Sequence, residues 1–181
     1  MARTECYDDP HAPEPNSLVV AASAVVTDES GRVLLQRRRD NNLWALPGGG
    51  MDMGDSLPGC AVREVKEETG PDVEITGLVG TYTDPKHVIA YSGGEVRRQF
   101  NICFTARVVG GTLTISDEST ELRFIAHGEA GRCAHFSGAL SPPPRARAGG
   151  GESSVPGVLC RRYFLRAAGR RSSAPGPSPS P

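Results

Sequence analysis

The amino-acid sequence predicts an α/β domain in which short strands predominate and one helix is well marked. Runs rich in β-branched and other apolar residues recur along residues 17–126, separated by turn sequences such as "DESG" and "SGGE". Residues 57–69 instead repeat their apolar side chains at helical spacing, between a serine and a Gly-Pro pair. These two periodicities predict a mostly β domain with a single early helix.

Two strands and a short extended segment are expected before the helix. Leu18–Thr27 is a β-rich run, and the turn Asp28–Gly31 joins it to Arg32–Arg37, so the two runs are predicted to form a hairpin. After a polar loop, the sequence "LWALP" is an extended segment that Pro47 and Gly48–Gly50 end.

Local signals define both ends of the helix. Ser56 can cap its N-terminus, and Pro58 falls in the first turn, where its missing N–H is harmless. Gly70 and Pro71 stop the helix after Thr69. Apolar side chains one turn apart form a stripe that can pack on a sheet: Leu57, Ala61 and Val65, with Cys60 and Val62 beside them.

Five further runs follow the helix and are predicted to be extended: Val73–Thr83, Val88–Tyr91, Val96–Val109, Leu113–Ile115 and Glu121–Ala126. The turn "SGGE" makes the second and third of these a hairpin. A domain of this type would usually close with a second helix. The one candidate, Val158–Ala168, has apolar spacing but lies among Pro, Gly and Arg residues.

The two ends of the chain differ in composition from its middle. Residues 1–16 are polar and proline-rich and are expected to be a disordered arm. In residues 127–181, Gly, Ala, Pro, Ser and Arg account for 41 of 55 residues, which predicts a low-complexity, disordered tail. Another interpretation is that this tail is translated in a shifted frame of a GC-rich gene, with loss of the closing helix. The folded domain is accordingly placed at residues 17–126.

The bulk composition argues against several classes of protein. The 181 residues carry 20 basic and 21 acidic side chains, and a net charge of −1 gives no reason to expect nucleic acid or a membrane as a partner. Five scattered cysteines without a CxxC pair favour a reducing cytoplasm over a disulfide framework or a zinc site. No signal-peptide core or bilayer-length apolar run is found, so we expect a soluble, cytoplasmic protein.

Three acidic residues stand at the unfavourable end of the helix. Glu64, Glu67 and Glu68 share one face, where they repel one another and where each costs roughly 0.3–1 kcal/mol against the helix dipole. A solvated charged face is one interpretation. The other is a divalent-cation site, because the preceding glycines, Gly48–Gly50, can expose backbone groups to a phosphate or a metal, and Mg²⁺ takes oxygen ligands.

This stretch resembles the Nudix box, in which Gly is followed after five residues by Glu and after seven more by Arg-Glu-apolar-x-Glu-Glu-x-Gly. The matching positions are Gly49, Asp55, Arg63, Glu64, Val65, Glu67, Glu68 and Gly70. The flanks "LWALPGG" and "SDESTELRF" also resemble family members, and the resemblance covers about residues 17–126. It implies a Nudix-type α/β/α sandwich with a mixed β-sheet, whose closing C-terminal helix would be missing or altered here.

The resemblance implies a hydrolase that cleaves the diphosphate linkage of a nucleoside diphosphate joined to another group, with Mg²⁺ or Mn²⁺ as cofactor. Glu64, Glu67 and Glu68 would ligate the metal, helped by the carbonyl of Gly48. The general base is left open between Glu64 and a later glutamate, Glu118 or Glu121. The expected partner is this small molecule, with neither nucleic acid nor membrane, and two copies of the chain could pair as a homodimer.

Two positions depart from the family pattern. Asp55 stands where the box has Glu, an acid that braces the box arginine, so a shorter Asp55–Arg63 pair is expected to weaken this support without abolishing the chemistry. Pro71 replaces an apolar residue and changes little beyond the helix exit. The alternative function is a catalytically weak nucleotide-sensing or regulatory module. The three retained glutamates favour hydrolysis.

Five residues outside the box are candidates for substrate contact. Arg37 and Arg38 could meet phosphate, although arginines at a strand end are commonly solvated. Trp44 could stack on a base, although a Trp beside an apolar run commonly belongs to the core. By the family resemblance, Tyr82 and Asp84 lie where the substrate pocket is built.

Overall fold

Residues 3–126 and Glu129 are described by a computed structural model, which contains nine strands and one helix in this range. In chain order these elements are β1 (Arg3–Tyr7), β2 (Ser17–Thr27), β3 (Val33–Arg38), β4 (Trp44–Ala45), β5 (Gly48–Gly50), α1 (Leu57–Thr69), β6 (Asp72–Tyr82), β7 (His87–Tyr91), β8 (Val96–Gly110) and β9 (Ser119–Ile125).

The strands form one mixed sheet, as predicted. Its main path runs β1-β7-β8-β2-β3-β4, while β6 also pairs with β8, β5 with β2, and β9 with β3. Strands β2 and β8 are parallel along the whole of β2, from Ser17 opposite Arg97 to Thr27 opposite Arg107. The other pairs are antiparallel. The predicted β2–β3 hairpin has only one paired position, Thr27 with Val33.

Helix α1 begins and ends where its local signals predict. The Ser56 hydroxyl accepts a hydrogen bond from the Gly59 backbone N–H at 3.1 Å, and a proline lies in the first turn. At the other end, Gly70 has φ +96°, and a Cβ there would lie 2.3 Å from the Thr112 carbonyl oxygen. Only glycine fits this turn, and it stops the helix after Thr69.

The apolar stripe of α1 packs on one face of the sheet. Cys60, Ala61 and Val65 are fully buried there. They lie against β2 side chains such as Ala22 and Ala24. A second apolar cluster occupies the other face of the sheet. Among the residues that the structure describes, no helix has the length and apolar character needed to cross a membrane.

The N-terminal arm is a correction to the sequence prediction, because part of it is a strand. Residues Arg3–Tyr7 pair with β7 in antiparallel register, from Arg3 opposite Tyr91 to Tyr7 opposite His87. The Tyr7 hydroxyl donates to Asp84 at 3.1 Å and ties the end of β1 to the β6–β7 loop. The folded unit therefore begins before residue 17.

Leu113–Ile115 is a second correction, because it forms no strand. Leu113 and Ile115 are 44% and 54% exposed, while the backbone N–H of Thr114 donates to the Thr69 carbonyl at 2.8 Å. The segment satisfies a free carbonyl at the end of α1 instead of joining a ladder. The predicted tail and the helix candidate Val158–Ala168 lie outside the described residues.

Candidate active site

The three acids of α1 differ sharply in exposure, although they share one end of the helix. Glu68 is only 5% exposed. The side chain of Glu64 is 14% exposed, and that of Glu67 is 59% exposed. A uniformly solvated charged face does not describe this arrangement, because two of the three carboxylates are largely withdrawn from water.

Glu68 is held by two hydrogen bonds to the same oxygen. Its Oε2 accepts from the backbone N–H of Gly48 at 2.8 Å and from Nε2 of Gln36 at 2.6 Å. Burial raises the pKa of Glu68 to about 8, because water no longer solvates the charge, while these bonds and the Arg38 charge oppose the shift. Helix α1 is thus joined through a carboxyl group to Gly48–Gly50, the short strand β5, which we call the glycine loop below.

Arg63 binds several groups on the exposed side of the carboxylate cluster. Its Nη1 donates to Glu64 Oε1 at 2.9 Å and to Glu67 Oε2 at 3.0 Å, so one cation bridges two repelling acids. Its Nη2 donates to Asp55 at 2.8 Å and to the Gly50 carbonyl at 3.0 Å. Arg63 therefore relieves the repulsion that the sequence implies, including the pair with Glu67 one turn away.

Asp55 reaches Arg63 although it is one methylene shorter than the usual acid of the box. Its Oδ2 accepts from both Nε and Nη2 of Arg63, at 3.2 and 2.8 Å. These hydrogen bonds from Arg63 hold the pKa of Asp55 below its usual range. The Asp52 backbone N–H also donates to Asp55 at 3.1 Å, so this carboxylate fixes both the loop and the box arginine.

Glu64 lies tightly against the glycine loop. A Cβ on Gly49 would lie 2.5 Å from the Glu64 Oε2 atom, so a side chain there would displace this carboxylate from its position. Burial raises the pKa of Glu64, the Arg63 charge opposes the rise, and the negative charges of Glu67 and Glu118 add to it. Glu118, on the loop before β9, is therefore electrostatically part of the same site.

The carboxylates supply the oxygen donors that a hard divalent cation takes. As the side chains lie here, no group of three or more His, Cys, Asp or Glu residues within residues 3–126 and 129 converges on one point that could hold a metal ion. The contacts give the reason: Arg63 engages Glu64 and Glu67, and Glu68 is turned toward Gly48 and Gln36. The donor chemistry fits a cation, but only after Arg63 releases the two acids it bridges.

A polar cleft adjoins the carboxylates across Gly48 and Gly49. It lies over the β2 and β8 strands and contains the Asn101–Ser23 hydrogen bond of 2.9 Å. Its polar and cationic lining consists of Arg3, Ser23, Arg38, Gln99 and Asn101.

The two arginines of the cleft flank Asp40. Arg38 donates to both oxygens of Asp40, at 3.0 and 2.8 Å. Burial would raise the pKa of Asp40, but the Arg38 bonds and the charges of Arg38 and Arg3 hold it below its usual range. Both arginines of the cleft are thus paired with an acid, Arg38 with Asp40 and Arg3 with Glu5, and an anion would have to displace Asp40 to bind Arg38.

The other candidates for substrate contact lie apart from this cleft in the described structure. Arg37 Nη1 lies 3.8 Å from Glu121 Oε2. Trp44 and Tyr82 pack against the apolar cluster on the far side of the sheet. Asp84 binds Tyr7 and the Lys86 backbone. Of the five, only Arg38 lines the cleft.

Sequence reasoning missed the cleft residues Arg3, Ser23, Gln99 and Asn101, and it missed Gln36 and Ser119. Gln36 and Ser119 are both buried, and the Ser119 hydroxyl donates to Gln36 Oε1 at 2.5 Å. One signal was available for Gln36: in the strand "VLLQRR" the amide takes the inward position two residues after Leu34, where an apolar side chain is the norm. No comparable local signal marks Ser119.

Comparison with known proteins gives a consistent result. The NUDIX domain family model matches residues 17–142. A curated relative named putative 8-oxo-dGTP diphosphatase, from Bacillus subtilis, is 45% identical over 65 residues, which is 36% of this chain and 44% of the relative. An ADP-ribose pyrophosphatase from Methanocaldococcus jannaschii is 32% identical over 114 residues, which is 59% of this chain and 60% of the relative. The chain thus spans less than two thirds of each of these relatives.

A solved structure shows the same fold at low sequence identity. The crystal structure of a NUDIX hydrolase from Nitrosomonas europaea matches with a TM-score of 0.58 and 22% identity, over 88% of this chain and 76% of that one. The family model spans β2 to β9, so the likeness includes β2 and β8, the strands that carry the cleft.

Proposed function

Because the chain belongs to the NUDIX domain family, we propose that it is a metal-dependent hydrolase that cleaves the diphosphate linkage of a nucleoside diphosphate joined to another group. The observation that carries the proposal is the carboxylate cluster of α1. Glu64 and Glu68 are withdrawn from water and lie against Gly49 and Gly48, and these two glycines also line the cleft that contains Arg38.

Glu64, Glu67 and Glu68, with the carbonyl of Gly48, are the groups that would hold Mg²⁺ or Mn²⁺. The bound cation would supply a more acidic water and neutralise charge on the diphosphate. Arg63 keeps Glu64 and Glu67 at the glycine loop through its bonds to Asp55 and the Gly50 carbonyl. Its role in the mechanism would be to hold these two side chains in place beside Gly48–Gly50 when no cation is bound.

The chain's own groups also account for substrate orientation and proton removal. Arg38 lines the cleft beside Gly48 and Gly49 and would face the negative oxygens of the substrate. Two acids can accept the proton of the attacking water: Glu64, in the cluster, and Glu118, on the loop whose charge acts on Glu64. Glu121 is the weaker candidate, because it pairs with Arg123 and lies near Arg37.

The cytoplasm is the compartment that we propose. Cys6, Cys60 and Cys103, the cysteines of the described region, are free thiols. Proteins of oxidising compartments commonly pair such residues.

A substrate panel tests the proposal. The two relatives suggest oxidised deoxynucleoside triphosphates and ADP-ribose as the first compounds, with NDP-sugars and dinucleoside polyphosphates beside them. We expect Mg²⁺-dependent release of a nucleoside monophosphate or diphosphate from at least one class. Glu67→Gln is expected to lower kcat/KM by about two orders of magnitude, because it removes a charge that the cation needs.

The matched control is Glu29→Gln, which changes an exposed acid in the β2–β3 turn and should leave the rate unchanged. Nucleotide binding without turnover of any compound would contradict hydrolysis and favour the sensing module. Full activity of Glu67→Gln would contradict the assignment of the metal site.

A further inference from the structure

A chain of hydrogen bonds links the end of α1 to Ser119, the first residue of β9. It runs from Glu68 to Gln36 at 2.6 Å and from Gln36 to Ser119 at 2.5 Å. Gln36 is 1% exposed, and Ser119 is fully buried. We call these three residues the Glu68–Gln36–Ser119 chain.

Ser119 determines which way the Gln36 amide faces. Its hydroxyl donates to Gln36 Oε1, so the amide oxygen is engaged and the NH₂ group is directed at Glu68. A reversed amide would set an oxygen against a carboxylate. The orientation of Gln36 is therefore fixed by a residue 83 positions further along the chain.

Gln36 in turn determines which oxygen of Glu68 is engaged. Both donors, Gln36 Nε2 and the Gly48 N–H, bind Oε2, and neither binds Oε1. The carboxylate is held by one oxygen and keeps the other for a different ligand. This is the arrangement in which outer hydrogen bonds orient a metal ligand.

Arg39, the residue that follows β3, also holds the segment next to Ser119. Arg39 donates to three successive carbonyls: Nε to Asp117 at 2.8 Å, the backbone N–H to Glu118 at 2.8 Å, and Nη2 to Ser119 at 3.0 Å. A β-bulge between Arg37 and Arg38 sets this register. Arg39 thus holds the backbone of residues 117–119, and Gln36 binds the side chain of Ser119. Glu118 lies in this fixed segment.

We propose that Gln36 is a positioning residue, which orients Glu68 for cation binding and couples it to the segment that carries Glu118. The inference rests on the proposed function and goes beyond it, since it assigns a role to a residue outside the box. Gln36 acts through Glu68 and touches neither substrate nor reacting atoms.

Substitution of Gln36 tests the proposal with Mn²⁺ alone as the probe. Gln36→Met keeps the length of the side chain and removes both polar atoms. We expect Mn²⁺ affinity, measured by calorimetry or by EPR of the free ion, to fall about tenfold, as it does when outer hydrogen bonds to a ligand are lost. In turnover assays kcat should fall in parallel, while the KM for the nucleotide changes less than about twofold.

Leu35→Met is the matched control. It lies one residue earlier on β3, is equally buried and faces the other side of the sheet. A volume-conserving swap there should leave Mn²⁺ affinity unchanged. Ser119→Ala is the second variant: it frees the Gln36 amide to rotate, and we expect a loss of about threefold or more. If Gln36→Met fails to fold, the Mn²⁺ affinity of Ser119→Ala still tests the proposal.

A double-mutant cycle separates positioning from packing. In a Glu68→Gln background, Gln36→Met should weaken Mn²⁺ binding by less than about twofold further, since its effect passes through Glu68. Unchanged Mn²⁺ affinity of folded Gln36→Met or of Ser119→Ala, or full additivity in the cycle, would overturn the inference while wild-type turnover stands. Absence of Mn²⁺ binding and turnover in the wild type would overturn the proposed function as well.

Discussion

Glu68 combines burial with two hydrogen bonds, and these act on its proton in opposite directions. Burial favours the neutral acid, whereas the Gly48 and Gln36 donors favour the carboxylate. Burial prevails, and the pKa rises to about 8. A cation binds Glu68 only in its carboxylate form, so cation binding should release a proton near neutral pH.

The raised pKa predicts a pH dependence of stability in the metal-free protein. Between its ordinary value of 4.5 and about 8, folded Glu68 keeps a proton that the unfolded chain has released. The stabilisation is therefore complete below pH 4.5 and lost as the pH rises through 8. From pH 5 to 8.5, the free energy of unfolding of the wild type should fall by roughly 2–4 kcal/mol relative to Glu68→Gln.

Urea unfolding in EDTA at several pH values measures this difference. Each protein serves as the reference for the other, because all remaining titratable groups are shared. Parallel pH profiles of the wild type and Glu68→Gln would show that the pKa of Glu68 is not raised by folding.

Gly49 offers a second prediction at the residue scale. In Gly49→Ala the new Cβ would lie 2.5 Å from Glu64 Oε2 and displace that carboxylate, so kcat/KM should fall by about 100-fold. Gly54→Ala, in the loop between β5 and α1, is the control, since a Cβ there meets no atom within 4 Å. Steady-state kinetics of the two variants decide. Equal rates would mean that Glu64 has room to adjust and that its position is not critical.

Among the elements, β1 is the one whose presence is least expected from its sequence. It is five residues long, and its ladder partners in β7 lie 80 to 88 positions further along the chain. Yet it brings Arg3 to the cleft and reaches the β6–β7 loop through Tyr7. The strand is thus part of the site.

Hydrogen exchange tests the strand directly. Ladder hydrogen bonds should protect alternate backbone amides of residues 3–7, because β1 is an edge strand, whereas the amides of Asp9 and Glu14, outside any strand, should exchange quickly. Exchange of all amides of residues 3–7 at the same fast rate as Asp9 and Glu14 would contradict the pairing of β1 with β7.

At the scale of the whole molecule, local signals predicted local structure. Ser56, Gly70 and the apolar stripe gave the helix within one residue, and turn sequences gave most strands. The parallel pairing of β2 with β8 was not predictable in this way, because it joins residues about 80 positions apart through tertiary packing. The same holds for the Gln36–Ser119 bond.

The candidate site shows the same difference between local features, which the sequence predicts, and long-range contacts, which it does not. Spacing on one helix predicted that Glu64, Glu67 and Glu68 lie together. It could not predict that Glu68 is buried and Glu67 exposed, since the sheet and loop that cover one acid come from other parts of the chain. The polar groups of β2 and β8 in the cleft, Ser23 and Asn101, likewise meet only in the folded protein.

The central claim is that the acids of α1 form a cation site, and calorimetric titration with Mn²⁺ tests it most directly. The account predicts saturable binding to the wild type and to Glu29→Gln. It predicts that Glu67→Gln binds at least about tenfold more weakly, because one carboxylate is lost. Equal Mn²⁺ affinity of the wild type and Glu67→Gln, or no binding by either, would contradict it.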